Sequence, residues 1–144
     1  METLQVGDSL TYFHCDASVP PPGHMEYEIR LNTSGVELCY WPDYPVSGCH
    51  ELCLQFEIPA EEVASRISAA YHLSHCECVF REDDTGNSRD WVTGIYGGEY
   101  FKIPAGITGG PVLALFAVLK ALVPEEGWKK AAEHRRAYRM SDPA

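Results

Sequence analysis

Three segments place histidine beside cysteine: His14-Cys15, Cys49-His50-Glu51-Leu52-Cys53 and His75-Cys76-Glu77-Cys78. Thiolate and imidazole are the ligands a tetrahedral zinc ion takes, and neighbouring strands could in principle present such a set. The spacings oppose it. Structural zinc sites usually separate paired cysteines by two or more residues in a tight knuckle, whereas Cys76 and Cys78 are one residue apart and would share one face of a strand. The metal candidates are therefore Cys49, His50, Cys53, His75, Cys76 and Cys78. Against them stands the simpler expectation of buried, reduced thiols with no metal and no cofactor. A cysteine nucleophile needs a base beside it and a lowered pKa. Cys49, between Gly48 and His50, has such a neighbour but sits in no recognisable catalytic motif, so no catalytic residue is assigned.

The acidic run Glu82-Asp83-Asp84-Thr85-Gly86-Asn87 gathers hard oxygens around a glycine. It lacks the alternating ligands and terminal glutamate of an EF-hand loop, and a solvated turn that contacts a basic surface suits it better than a cation site. Thr108-Gly109-Gly110-Pro111 opens a helix, but matches no phosphate-loop pattern, and proline removes a donor at the first turn. Tyr40, Trp41 and Tyr44 cluster with Asp43 where a strand runs into a proline-bounded loop. Large, stiff aromatic side chains of this kind serve either as interface anchors or as a lid on the core.

The elements that must position these groups follow from periodicity. Leu10 to Cys15 reads as a strand, ended by the stiff connector Val19-Pro20-Pro21-Pro22-Gly23. Met25 to Leu31 and Val36 to Trp41 alternate apolar with charged residues on either side of Asn32-Thr33-Ser34-Gly35, which predicts a hairpin. Its polar side carries Glu26, Glu28 and Glu37, so one sheet face should be solvated and negative. Leu52 to Ile58 is a further strand. Glu61 and Glu62 then mark the first turn of a helix whose Val63, Ile67, Ala70 and Tyr71 share a face. Cys76 to Arg81 and Asp90 to Tyr96 flank the acidic run as a second hairpin. From Gly97 on, a glycine-rich stretch leads into helices: Val112 to Val123, apolar nearly all round and expected at the centre of the core, and a last one after Pro124 rich in Lys and Arg.

The 144 residues suit one globular domain, 1–144, with no internal repeat. Strands early and helices late predict an α+β fold: an antiparallel, meander-like sheet of about five to seven strands covered by two or three helices, with the C-terminal third helical. The first residues, Met1 to Asp8, form no basic and apolar leader, and Pro111 to Leu119 is too short to cross a bilayer. A cytoplasmic protein with reduced cysteines and no membrane contact is the expectation. Net charge is −10, with 21 acids against 11 bases. The acids dominate residues 1–124, where 17 oppose 6 bases; residues 125–144 hold 4 acids and 5 bases. Such a body repels phosphate backbones and attracts basic proteins. The leading expectation is an acidic inhibitor or immunity-type protein that neutralises a basic partner such as a nuclease-like toxin, with Trp41, Asp43, Tyr44, Glu82, Asp83 and Asp84 as contacts. The alternatives are a small Cys/His- or zinc-dependent enzyme and an oligomeric subunit joined through the Val112 to Val123 helix.

Overall fold

The computed structural model describes residues 7–15, 26–41, 51–76, 89–104 and 110–141. In chain order these form β1 (Ser9–Cys15), β2 (Glu26–Asn32), β3 (Gly35–Trp41), β4 (Leu52–Phe56), α1 (Ala60–Leu73), β5 (Arg89–Tyr96), β6 (Glu99–Ile103), α2 (Gly110–Ala121) and α3 (Glu125–Ser141). The six strands make one open antiparallel sheet in the order β4-β3-β2-β1-β5-β6. The fold is α+β, as expected.

Strand alternation gives the sheet two unlike sides. Leu10 and Tyr12 of β1, Ile29 and Leu31 of β2, and Val36 and Leu38 of β3 lie side by side in register and are all buried. Val63, Ile67 and Ala70 of α1, Val112, Leu115, Phe116 and Leu119 of α2, and Ala131 of α3 complete the same cluster. All three helices therefore cover one side. The β2–β3 hairpin turns where the sequence places it, with the Ser34 N–H donating to Asn32 Oδ1 at 2.8 Å. After α2, Trp128 Nε1 donates to the Lys120 carbonyl at 3.3 Å and pins the start of α3 to the end of α2. Among the described residues no helix is long and apolar enough to cross a membrane.

Two expectations are corrected. The stretch after Gly97 does not run straight into helices, because Glu99–Ile103 pairs with β5 as an edge strand. Gly97 (φ 59°) and Gly98 (φ 82°) supply the two left-handed residues of a tight hairpin turn. The Gly97 N–H also donates to buried Asp8 Oδ1 at 2.9 Å, tying the turn to the start of β1. Nor is α2 central to the core. It packs in a single layer over the sheet, so Leu113 is 51% exposed and Ala114, Ala117 and Ala121 also face outward. The expected hairpin partner of β5, at residues 77–81, lies outside the described residues.

Gly94 of β5 is required by a close approach: a Cβ there would sit 2.6 Å from the Ser9 carbonyl oxygen and collide with the Phe101 ring. Gly94→Ala is expected to cost about 1–3 kcal/mol of stability, measured by urea unfolding at unchanged m-value. A loss under about 0.5 kcal/mol, the scale of a neutral surface change, would mean that the Phe101 ring does not seat on Gly94.

Candidate functional site

The side of the sheet opposite the helices carries the groups of chemical interest. On its β1–β5–β6 half, Phe13 and Trp91 are register partners whose rings stack at 4.2 Å. Ile95 and Tyr100, paired across β5 and β6, are 39% and 64% exposed. Thr11, Thr93 and Lys102 form a polar row between these two pairs. An apolar and aromatic surface of this kind on a sheet face is what a partner's side chains can cover.

On the β2–β3–β4 half, Arg30 bridges Glu28 at 2.6 Å and Glu37 at 3.1 Å. The two carboxylates and one guanidinium leave a net negative row. Burial works against the Arg30 charge, but the hydrogen bond and the proximity of Glu28 outweigh it and push the guanidinium further up from its ordinary value. The expected solvated acid face is corrected at Glu26, which is 5% exposed and accepts a hydrogen bond from Cys15 Sγ at 3.0 Å. Trp41, its register partner, is 7% exposed.

Farther along the same face, Cys39 and Cys53 are cross-strand partners with sulfurs 2.9 Å apart, and Cys53 Sγ also donates to Glu51 Oε1 at 3.1 Å. The ligand atoms of Cys39, Glu51 and Cys53 lie within 4.8 Å of one another, the group of this kind found among the described residues. Two thiols and a carboxylate could share a soft divalent ion, with a fourth ligand still needed for a closed zinc site. Burial pushes the Cys39 thiol well above its ordinary value. Burial also raises that of Cys53, helped by Glu51. Both would shed protons on binding a metal, so affinity would climb with pH.

The sequence candidates are distributed differently from their order along the chain. His14 and Cys15 are adjacent but point to opposite sides of β1, so they do not act together. Cys53 joins Cys39, not His75 or Cys76, which are exposed beyond the end of α1 on the helix side. His75 instead packs its ring 4.7 Å from Tyr71, and its Nδ1 lies 3.0 Å from Ser74 Oγ. Asp43, Tyr44, Cys49, His50, Cys78, Glu82, Asp83 and Asp84 lie outside the described residues. The sequence reading missed Cys39 as a partner of Cys53 and missed the Phe13–Trp91 pair. Aligning β3 against β4, and β1 against β5, is the step that reveals them.

The helix-covered side holds a second polar centre, also missed. Asp90 Oδ1 accepts from the Tyr12 hydroxyl at 2.8 Å and from His14 Nδ1 at 2.6 Å. Because an ionised carboxylate only accepts, His14 carries its proton on Nδ1. Burial alone would raise the Asp90 carboxyl, but the hydrogen bonds from His14 and Tyr12, with the charges of His14 and Lys120, hold it below its ordinary value of 3.8. Burial and the nearby Tyr27 and Asp90 push the Tyr12 hydroxyl far up, so it stays a donor at any ordinary pH.

No protein-family model matches the sequence, and no curated protein matches it either.

Two outcomes are expected. A carboxyl depressed by folding adds stability above its unfolded value and loses it as pH falls through the folded one. Asp90→Asn should therefore destabilise the protein at neutral pH by about 1.5–3 kcal/mol and flatten the loss of stability below pH 3.8. Urea unfolding across that range measures both effects; an acid limb as steep as the parent's would remove Asp90 as its source. In peptide-mapped alkylation, Cys53 and Cys76 should label in the folded protein and Cys39 only on unfolding. Since the thiolate reacts, the Cys53 rate should keep climbing above the pH at which an ordinary thiol levels off.

Proposed function

We propose that this chain is a non-catalytic protein-binding module, an inhibitor or immunity-type protein that neutralises a basic partner such as a nuclease-like toxin. The observation that carries the reading is the half-buried Phe13–Trp91 stack and the exposed Ile95–Tyr100 pair on the sheet face away from the three helices, in a chain with net charge −10. Hydrophobic and aromatic area supplies the anchor, while the acidic field speeds encounter and rejects acidic surfaces. Asp43, Tyr44, Glu82, Asp83 and Asp84, outside the described residues, and Trp41, 7% exposed at the end of β3, are the further partner contacts we assign. The compartment we assign is the cytoplasm, where a toxin must be met before it acts.

The test is a two-stage capture from lysate of the source cell, using the parent chain, Tyr100→Ala, and a triple variant carrying Glu82→Lys, Asp83→Lys and Asp84→Lys. The expected result is one stoichiometric basic protein that high salt releases. Both variants should weaken its capture, and the charge reversal should act mainly on the association rate at low salt. Equal capture by all three chains, or a partner that salt does not release, would remove the proposal.

A second reading, a thiol- or zinc-dependent enzyme, draws on the juxtaposition of Cys39, Glu51 and Cys53. It expects about one zinc per chain after purification without added metal, lost on Cys53→Ser. Metal-free protein with unchanged thermal stability on zinc addition counts against the zinc form.

A further inference from the structure

Between α3 and the β2–β3 part of the sheet, on the helix-covered side, lies a cavity of ≈ 320 Å³. That volume sits at the lower end of the range for small-molecule sites, roughly 300–1,000 Å³. Tyr27, Tyr40 and Trp128 form its aromatic walls, and the small side chains of Ala131 and Ala132 on α3 leave the room between them. Arg135 and Arg136 complete the lining.

The walls are held in place by contacts with one another and with groups outside the lining. Tyr27 meets Trp128 edge to face at 5.1 Å and is backed by the His14 ring at 4.8 Å. Trp128 is fixed by its indole N–H on the Lys120 carbonyl, and Tyr40 is met edge-on by His134 at 6.2 Å. Ordering of these rings is already accomplished by the fold, so a ligand need not supply it. Among the described residues of the lining, both charged groups are arginines, although the chain carries 21 acids against 11 bases.

Each part of this lining selects for a feature of the ligand. Aromatic walls favour a flat ring that can stack or meet them edge-on. A guanidinium is planar, always charged and shaped to grip a carboxylate through two parallel hydrogen bonds. We infer that this cavity binds a planar aromatic carboxylate, its ring among Tyr27, Tyr40 and Trp128 and its anionic group on Arg135 and Arg136. The cavity is on the opposite side of the sheet from the Phe13–Trp91 patch, so the two assignments stand or fall separately.

The experiment is calorimetric titration of the full chain with 2-naphthoate, 2-naphthamide, acetate and inorganic phosphate. The amide keeps the ring and removes the charge; acetate and phosphate keep a charge and remove the ring. Saturable one-to-one binding of naphthoate is expected, with the amide weaker by about tenfold or more and neither small anion measurable. Arg136 is exposed on α3, so Arg136→Gln should fold as the parent does. It should weaken naphthoate by about tenfold while leaving the amide unchanged. Arg135→Gln provides the same comparison from the neighbouring position. Absence of saturable naphthoate binding, amide affinity equal to that of the acid, phosphate binding as tight as naphthoate, or no effect of either arginine substitution would each overturn the inference.

Discussion

A tyrosine fully buried in the central strand of a sheet must find an acceptor for its hydroxyl, and for Tyr12 that acceptor is Asp90. The need ties together parts of the chain far apart in sequence. Asp90 stands opposite His14 in the β1–β5 register, so one carboxylate serves two neighbours on β1, and the hydrogen bonds and the ladder specify the same alignment. A slip of one residue would carry Tyr12 and Leu10 to the open side and bring Thr11 and Phe13 into the core. The ring of Tyr12 in turn stacks on Phe116 of α2 at 5.0 Å, which ties the helix layer to this strand. Register, helix placement and the composition of both faces thus share one buried polar contact.

Where two-residue alternation coincided with burial, the sequence was legible. The β2–β3 hairpin and α1 follow directly from Tyr27, Ile29, Leu31 and from Val63, Ile67, Ala70, because these side chains face one layer and nothing else. β6 escaped because it is an edge strand. Glu99, Tyr100 and Lys102 are exposed, and only Phe101 and Ile103 show the buried period. The glycines before it looked like the start of a loop, whereas their left-handed backbone is the turn itself. α2 misled for the converse reason. Its apolar composition suggested burial all round, but alanine is tolerated at a surface, and Leu113 is an apolar residue that the single helix layer leaves outside.

The candidate sites were less legible than the fold because each depends on register. His14 and Cys15 look like a pair in sequence and are separated by the thickness of a strand. Cys39 and Cys53 look unrelated and are brought into contact by the β3–β4 ladder. Phe13 and Trp91 likewise meet only once β5 is laid against β1. Alternation told which residues share a face of their own strand, but the neighbour across the ladder is a property of strand order, and strand order is fixed by the helices and turns between.

Charge segregation follows from the same layering. Acids are spread through the strands and early helix, while α3 collects Lys129, Lys130, Arg135 and Arg136 along its length. Seating α3 over β3 and β4 brings the arginines above Tyr27 and Tyr40, two of the aromatic residues that alternation had already turned toward the helices. Tyr27 is the element common to both centres on this side. It stacks on His14, meets Tyr12 edge to face at 6.2 Å and forms a wall of the cavity. Tyr27, placed by the β1–β2–β3 ladder, thus stands between the Asp90 cluster, which it meets through His14 and Tyr12, and the cavity.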